Sequence, residues 1–401
     1  MKFVILNQPT KNKGDLAAFK ALVSLISKKY PSAIIECIFT TKDHDLLFDR
    51  VENVNCIDFD LPNLWRLTKT CLKYPFLFKL LQFLPGYSGY TKHIKSADIA
   101  VLAPGGLEIG AYQDWRVLWS LALADAFGVK YAIYSRSIGK FVNETKDDQL
   151  FIKFAIKYLK GSKFNGLRER KSQELASMLG LNYFPAIDVV YSYIPEKDFN
   201  SELIKGVVDD YVVFVPSKFD NWHPDFNDES QALLDKLYRS IISMVINKGK
   251  TVVMLPHTYG RGVNRDDRYY FETLIEDRFK SNCIIVDDQL DTDDYQAILK
   301  RADFSISARL HQVIFSINNH TPVLCLSYEH KMQAMMEMLG LSKYSLSLQS
   351  LIKENEKLLL LLEEFLSAPE INKDKFINAQ KQAGIIAIES FNNFVESVES
   401  K

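Results

Sequence analysis

The stretch Ala302-Asp303-Phe304-Ser305-Ile306-Ser307-Ala308-Arg309-Leu310-His311 runs from an apolar strand straight into the mouth of a helix. A short apolar run with turn residues behind it and helical periodicity ahead is the βα step of a parallel sheet. The helix, read from Gln312 to Asn318, leads to a second apolar strand, Pro322-Val323-Leu324-Cys325-Leu326, and then to Tyr328, His330 and Lys331. In a parallel α/β domain successive strand ends open onto one crevice, so Arg309, His311 and Lys331 are expected on the same wall. A helix start carrying an Arg and a His suits an anion that must also exchange a proton. The plainer reading of Arg309 is a solvated side chain or a partner for Asp303, and that of a lone His is a structural hydrogen-bond group. A second strand-end histidine, His257 in Thr251-Val252-Val253-Met254-Leu255-Pro256-His257, strengthens the functional reading.

Outward from this stretch the same alternation fills most of the chain. In the first half, strands are predicted near Phe3 to Leu6, Ala33 to Phe39, Ile99 to Ala103, Tyr131 to Ser135 and Phe164 to Leu167. Helices fall near Leu16 to Lys29, Trp115 to Phe127, Asp147 to Leu159 and Lys171 to Leu179. The pattern restarts with strands at Tyr211 to Val215, Val252 to Leu255, Ile284 to Val286, Phe304 to Ile306 and Val323 to Leu326. The stretch from Ile194 to Val208 has mixed charge and no period, which places a domain junction there. Beyond about Leu341 the chain reads as helical, through Leu358 to Leu362 and then Lys373 to Ser400. The expected architecture is α/β, with two doubly wound Rossmann-like domains, 1–194 and 195–345, facing a cleft. C-terminal helices, 346–401, are expected to pack across both.

At 401 residues two domains are the natural reading of length. A net charge of −1 speaks against a general nucleic-acid binder, so any anion specificity must be local. Cys37, Cys56, Cys71, Cys283 and Cys325 are odd in number and scattered, which fits reduced thiols better than disulfides or zinc. The start, Met1-Lys2-Phe3-Val4-Ile5-Leu6, enters a short strand without the apolar core of a signal peptide, so a cytoplasmic location is expected. No run reaches the roughly 18 uninterrupted apolar residues of a membrane span; Leu118 to Tyr134 comes near, but Asp125 and Lys130 interrupt it, and it reads as a buried helix followed by a strand. One segment stands apart. Between Asp60 and Asp98 there is no acidic residue, while Arg66, Lys69, Lys73, Lys79, Lys92 and Lys95 interleave with large apolar and aromatic side chains. It reads either as a core-packing helix hairpin with solvated lysines or as an interfacial segment for the inner face of an anionic membrane.

Four more turns follow predicted strands or open helices. Asn12-Lys13-Gly14-Asp15 combines a glycine for a tight turn with a residue suited to capping. Pro104-Gly105-Gly106 lacks side chains where a ligand or backbone could approach. Ser137-Ile138-Gly139 and Arg168-Glu169-Arg170-Lys171-Ser172 complete the set, with Arg168 nearer the strand end than Arg170. Together with Asp188, His257, the Arg309-Leu310-His311 triplet, Tyr328 and Lys331, their order resembles the polysaccharide pyruvyl transferase family from Asn12 to Lys331. The chain departs from it in having Arg136 before and Lys140 after the Ser-Ile-Gly turn, where the family often has Gln and Pro.

The resemblance implies a glycosyltransferase-B-like pair of domains, the second holding phosphoenolpyruvate as donor and the first facing a sugar or lipid-linked oligosaccharide acceptor. It implies donor contacts from the Arg-Leu-His triplet. Phosphoenolpyruvate needs several fixed cations, for which Arg309, Arg168 and Lys331 are the candidates. Ketal formation needs proton transfer, for which His311, then His257, and Asp15 as a base toward a sugar hydroxyl are the candidates. Asn12, Gly14, Gly105, Gly106, Ser137 and Tyr328 are the remaining substrate-binding candidates. The chemistry calls for no cofactor beyond the donor and no metal. A nucleotide-sugar glycosyltransferase and a non-catalytic relative of the same fold are the alternatives.

Overall fold

The computed structural model describes residues 1–9, 12–39, 54–58, 64–219, 223–258, 266–286 and 290–400. Two parallel sheets organise them. The first joins β1 (Lys2–Gln8), β2 (Ile34–Phe39), β3 (Val54–Asp58), β4 (Ile99–Leu102), β5 (Lys130–Arg136), β6 (Asn165–Leu167) and β7 (Phe184–Pro185). The second joins β8 (Tyr211–Val215), β9 (Thr251–Met254), β10 (Cys283–Ile285), β11 (Phe304–Ser307), β12 (Val323–Ser327) and β13 (Ser345–Ser347). Their spatial orders are β3-β2-β1-β4-β5-β6-β7 and β10-β9-β8-β11-β12-β13. Each sheet thus winds outward from its first strand in both directions, the Rossmann order, with its switch point beside β1 or β8.

Every pairing between these strands is parallel, as in Ile5 opposite Val101 and Phe214 opposite Ile306. Parallel strands require helical crossovers that cover both faces, so the central strands are apolar throughout instead of alternating. Phe3 to Leu6 and Tyr211 to Val215 are accordingly buried. The crossover helices start on side-chain caps where the sequence supplies them. Thr145 and Asp148 form a capping box for Lys146–Gly161, and Asn227 with Ser230 does the same for Asp228–Asn247. Asp114, Asp266 and Asp291 cap the helices Trp115–Ala126, Asp267–Leu274 and Thr292–Arg301.

Three strands go beyond the sequence reading: β3, β7 and β13. Each lies at or next to a sheet edge and is short, so little apolar periodicity marks it. β13 also interrupts the region beyond Leu341 that was expected to be helical throughout. The helices Glu356–Ser367 and Lys373–Glu399 do follow it.

By internal contacts the chain forms two compact units. One comprises Met1–Thr10, Asp15–Tyr193 and Ile385–Lys401, and the other Lys11–Gly14 and Ile194–Gly384. The long last helix therefore contributes its final turns to the first unit. There Phe391 and Phe394 are buried against Tyr134, at ring distances of 6.1 and 5.3 Å, and Phe394 also meets Phe164 at 5.7 Å. Among the described residues no helix is long and apolar enough to cross a membrane.

Phe394 has no solvent exposure, so replacing it with Ala leaves a cavity against Tyr134 and Phe164 of the first unit. Phe394→Ala is expected to destabilise the first unit by about 3–5 kcal/mol. Urea unfolding followed by the fluorescence of Trp119, buried in the same unit, checks this.

Candidate active site

In the second unit the chemistry gathers where β9 and β11 end. Arg309 occupies the position before the helix Leu310–Asn318 in extended conformation and gives that helix no side-chain cap. Its guanidinium turns instead to Asp267, with Nη2 2.6 Å from Oδ1. The other carboxylate oxygen of Asp267 accepts the backbone N–H groups of His257, at 2.8 Å, and Thr258, at 2.9 Å. One carboxylate thus ties the end of β9 to the turn after β11. Burial alone would lower the Arg309 pKa, but the charge and hydrogen bond of Asp267 outweigh it and the pKa is raised. The guanidinium stays charged and partly accessible, 23 % exposed.

Asp303 is not the partner of Arg309. It stands before β11 while Arg309 stands after it, with the four residues of that strand, about 13 Å of extended chain, between them. Asp303 pairs with Lys250, at 2.5 Å, at the opposite end of the sheet.

His311 lies in the first turn of the same helix, and its ring rests directly on the backbone of Gly14. A Cβ added at Gly14 would come within 2.0 Å of Nδ1 and 2.1 Å of Cγ. This is the physical demand for glycine there; the tight turn is made by Asn12, whose Oδ1 accepts the Gly14 N–H at 2.8 Å. Asn12 also bridges Thr258 in antiparallel fashion, and the buried Lys13 donates from Nζ to the Leu290 carbonyl. The Asn-Lys-Gly segment is therefore built into the second unit beside Arg309 and His311, while Asp15 begins the return to the first.

His257 is only 4 % exposed, flanked by Phe315 and Tyr295, with Nε2 2.7 Å from Gln312 Oε1. Burial pushes its pKa from the usual 6.5 to about 3; the Gln312 hydrogen bond, next in size, opposes this, and the nearby Arg309, His311 and Lys13 add to the lowering. It is a neutral interior imidazole near neutral pH, so its hydrogen bonds, rather than a proton it could transfer, are what it brings to the site. The helix after β12, His330–Met338, also starts without a side-chain cap, because Glu329 pairs with Lys331 at 2.8 Å. Tyr328 packs against Phe219 and His223 at 4.8 and 5.5 Å, and its phenol is among the groups that raise the Arg309 pKa. The second unit thus brings Lys13, Gly14, His257, Arg309, His311 and Tyr328 together.

In the first unit the candidate turns meet around one guanidinium. Arg168 is 8 % exposed; it pairs with Asp188 and donates to the Gly105 carbonyl at 2.7 Å and to Ser137 Oγ at 3.2 Å. The Ser137 hydroxyl donates to Glu169 at 2.7 Å, and Ser172 links Glu169 to both backbone groups of Ile138. Burial by itself would lower the Arg168 pKa, but Asp188, Glu169 and Asp15 raise it. Asp15 thus acts on the same cluster. Arg136, the residue unusual before Ser-Ile-Gly, lies under Gly105, where an added Cβ would stand 3.0 Å from Nη1, and pairs with Glu108 at 2.5 Å. Gly106 has room for a Cβ, with only Glu108 at 3.6 Å. Arg168 and Ser137 spend their polar atoms inside this network, which braces three successive strand ends.

The geometry now has a family context. The model of the family described as polysaccharide pyruvyl transferase matches residues 12–330. The chain belongs to that family. The match starts at Asn12 and ends at His330, and so takes in both clusters. Amylovoran biosynthesis protein AmsJ of Erwinia amylovora is 30% identical over 125 residues, 31% of this chain and 30% of that protein. The chain thus matches less than a third of AmsJ's length. UDP-GlcNAc 2-epimerase from Methanocaldococcus jannaschii superposes with a TM-score of 0.58 at 13% identity, covering 98% of this chain and 100% of that one. A ugt transferase from Siraitia grosvenorii in complex with UDP gives 0.54 at 11% identity, covering 100% of both. These likenesses establish the glycosyltransferase-B-like, Rossmann-type fold.

Asp267 and Gln312, which fix Arg309 and His257, escape a reading of strand ends. The signal available for Asp267 is the Asp266-Asp267 pair opening a helix soon after His257.

Because His257 is held neutral, acid must charge it to unfold the site. The unfolded chain binds this proton near pH 6.5 and the folded chain only near 3, so its contribution to stability is complete above about pH 6.5 and is lost as pH falls toward 3. The melting temperature should drop over that window, and His257→Gln should flatten the drop.

Proposed function

We propose that the chain transfers the enolpyruvyl carbon skeleton of phosphoenolpyruvate to two hydroxyls of one sugar in a polysaccharide or its lipid-linked precursor, forming a pyruvate ketal. The observation that carries this reading is the juxtaposition of Arg309, His311 and Lys13 at two converging strand ends, under a helix start without a side-chain cap. Such a place offers backbone N–H groups, the positive end of a helix dipole and a planar guanidinium to a small dianion. Phosphoenolpyruvate presents both a carboxylate and a phosphate, and Lys331 at the next helix start supplies a further cation.

The reaction balances without an outside reagent. A proton is delivered to C3 of the enol, one sugar hydroxyl bonds to C2, and the C2–O bond to phosphate breaks. The second hydroxyl then closes the ketal. Of the two hydroxyl protons, one is matched by that gained at C3 and the other leaves with phosphate. His311 is assigned the transfer of these protons, since imidazole exchanges protons near neutral pH. His257, neutral and interior, is assigned positioning through Gln312, and Asp15 the acceptance of a hydroxyl proton. Arg168, Ser137, Gly105 and Gly106 are assigned the shaping of the acceptor side, and Asn12, Gly14 and Tyr328 that of the donor side. No cofactor enters, and the work is placed on the cytoplasmic face, where phosphoenolpyruvate is available.

Incubation with phosphoenolpyruvate and lipid-linked or nucleotide-linked sugars should release phosphate and yield a pyruvyl adduct by mass spectrometry. Stabilisation by a nucleotide sugar but not by phosphoenolpyruvate would overturn the donor and favour glycosyl transfer. His311→Gln should lower turnover by about two to four orders of magnitude with little change in donor affinity. Arg309→Lys keeps the charge but loses the planar fork, so donor affinity should fall while the fold survives. Near wild-type rates in both folded variants would refute the assignment.

A further inference from the structure

The segment from Leu72 to Ser96 resolves into two faces. Leu72, Phe78, Leu81, Tyr90 and Ile94 are buried in the core of the first unit, beneath the helix Trp115–Ala126. Those residues meet the expectation of a core-packing hairpin. The rest of the apolar content does not go inward. Tyr74 is 55 % exposed, Phe76 63 %, Leu80 49 %, Phe83 75 % and Leu84 46 %. The Tyr74 and Phe76 rings meet edge to face at 6.4 Å, so these two exposed aromatics share one surface. Scattered exposed apolar side chains are ordinary, but five within eleven consecutive positions form a patch that marks an interaction site.

The charge around this patch has one sign. Lys73 and Lys79 are exposed beside it. Lys92 and Lys95 line an adjoining cavity of about 580 Å³ together with Gln82, Ser88 and Thr91. Among the described residues, Glu36 is paired with Lys2 at 2.9 Å and hydrogen-bonded to His93 at 2.8 Å, and Asp98 accepts the Lys2 backbone N–H at 2.7 Å. Lys69 belongs to the core side, paired with Asp147 and lying over Trp115, and the Arg66 side chain lies outside the described residues.

We propose that this face docks the chain on an anionic bilayer, with Tyr74, Phe76, Leu80, Phe83 and Leu84 entering the headgroup boundary and Lys73, Lys79, Lys92 and Lys95 meeting lipid phosphates. A chain with a net charge of −1 that concentrates lysines around exposed rings carries the pairing an interfacial segment needs. A second copy of the chain is the less suitable occupant, because a twofold contact through this patch would bring both sets of lysines together. The inference is independent of the pyruvyl transfer reading, since its test measures no activity.

The test is co-sedimentation of the full chain with vesicles of phosphatidylcholine alone or with about one-third phosphatidylglycerol. Binding is expected to the anionic vesicles only, and to fall steeply with added salt. Lys73→Glu with Lys79→Glu should weaken it by about thirtyfold or more, at about fivefold per lysine removed. Phe76→Ser with Phe83→Ser should weaken it by at least about tenfold. Both double variants alter exposed residues and should melt like the parent, and Lys353→Glu, exposed in the other unit, should bind like the parent. Absent binding, equal binding to neutral and anionic vesicles, or binding indifferent to the patch variants would overturn the proposal. So would a dimer in light scattering that Phe76→Ser with Phe83→Ser dissolves while vesicles remain unbound.

Discussion

Parallel pairing is the constraint from which the other features follow. A parallel neighbour can be reached only by a crossover, so each strand of either sheet delivers its chain to the same edge, where turns such as those after β4, β5, β6, β11 and β12 lead into helices. Carboxyl ends that would lie apart in an antiparallel meander are gathered side by side. Arg309 and His257 come from strands separated by β8, and Gly105, Ser137 and Arg168 from three adjacent strands. The Rossmann order then sets where the gathering counts, because crossovers leave in opposite directions beside the first strand of each sheet.

What the fold gathers still has to be held in place. In the second unit this falls to Asp267, which spends one oxygen on two backbone N–H groups and the other on Arg309. A half-buried guanidinium without such a partner would be less easily kept charged and in place. Burial first, and then the cationic surroundings, depress the His257 pKa. His311 escapes burial among rings by lying on the bare backbone of Gly14. In the first unit Arg168 makes the corresponding tie, but with its donors turned inward on Asp188, Gly105 and Ser137.

How much of this was legible in the sequence depends on how local each cause is. The central strands declare themselves because burial on both faces demands apolar runs such as Tyr211 to Val215. Val54-Asn55-Cys56-Ile57-Asp58 is different: at the edge of the sheet it pairs, among the described residues, with β2 alone, and two of its five residues, Asn55 and Asp58, are polar. The Arg309 and His311 pair was legible because both side chains follow one strand. Asp267 was not, since it reaches Arg309 across 42 residues, whereas Asp303, close in sequence, faces the wrong end of β11. The reason for Gly14 was likewise hidden, because the ring that excludes a side chain there comes from His311, almost three hundred positions later.

The last helix carries a consequence for how the chain is made. The outer face of the first sheet at Tyr134 and Phe164 is covered by Phe391 and Phe394, which are synthesised after the whole of the second unit. Although its strands leave the ribosome first, the first unit cannot close its core until the final turns of the chain have emerged. The second unit, whose contiguous part ends at Gly384, meets no such delay. Vectorial synthesis is therefore uncoupled from the order of completion, and the strands of the first unit wait with an aromatic surface open for a helix that follows the second unit.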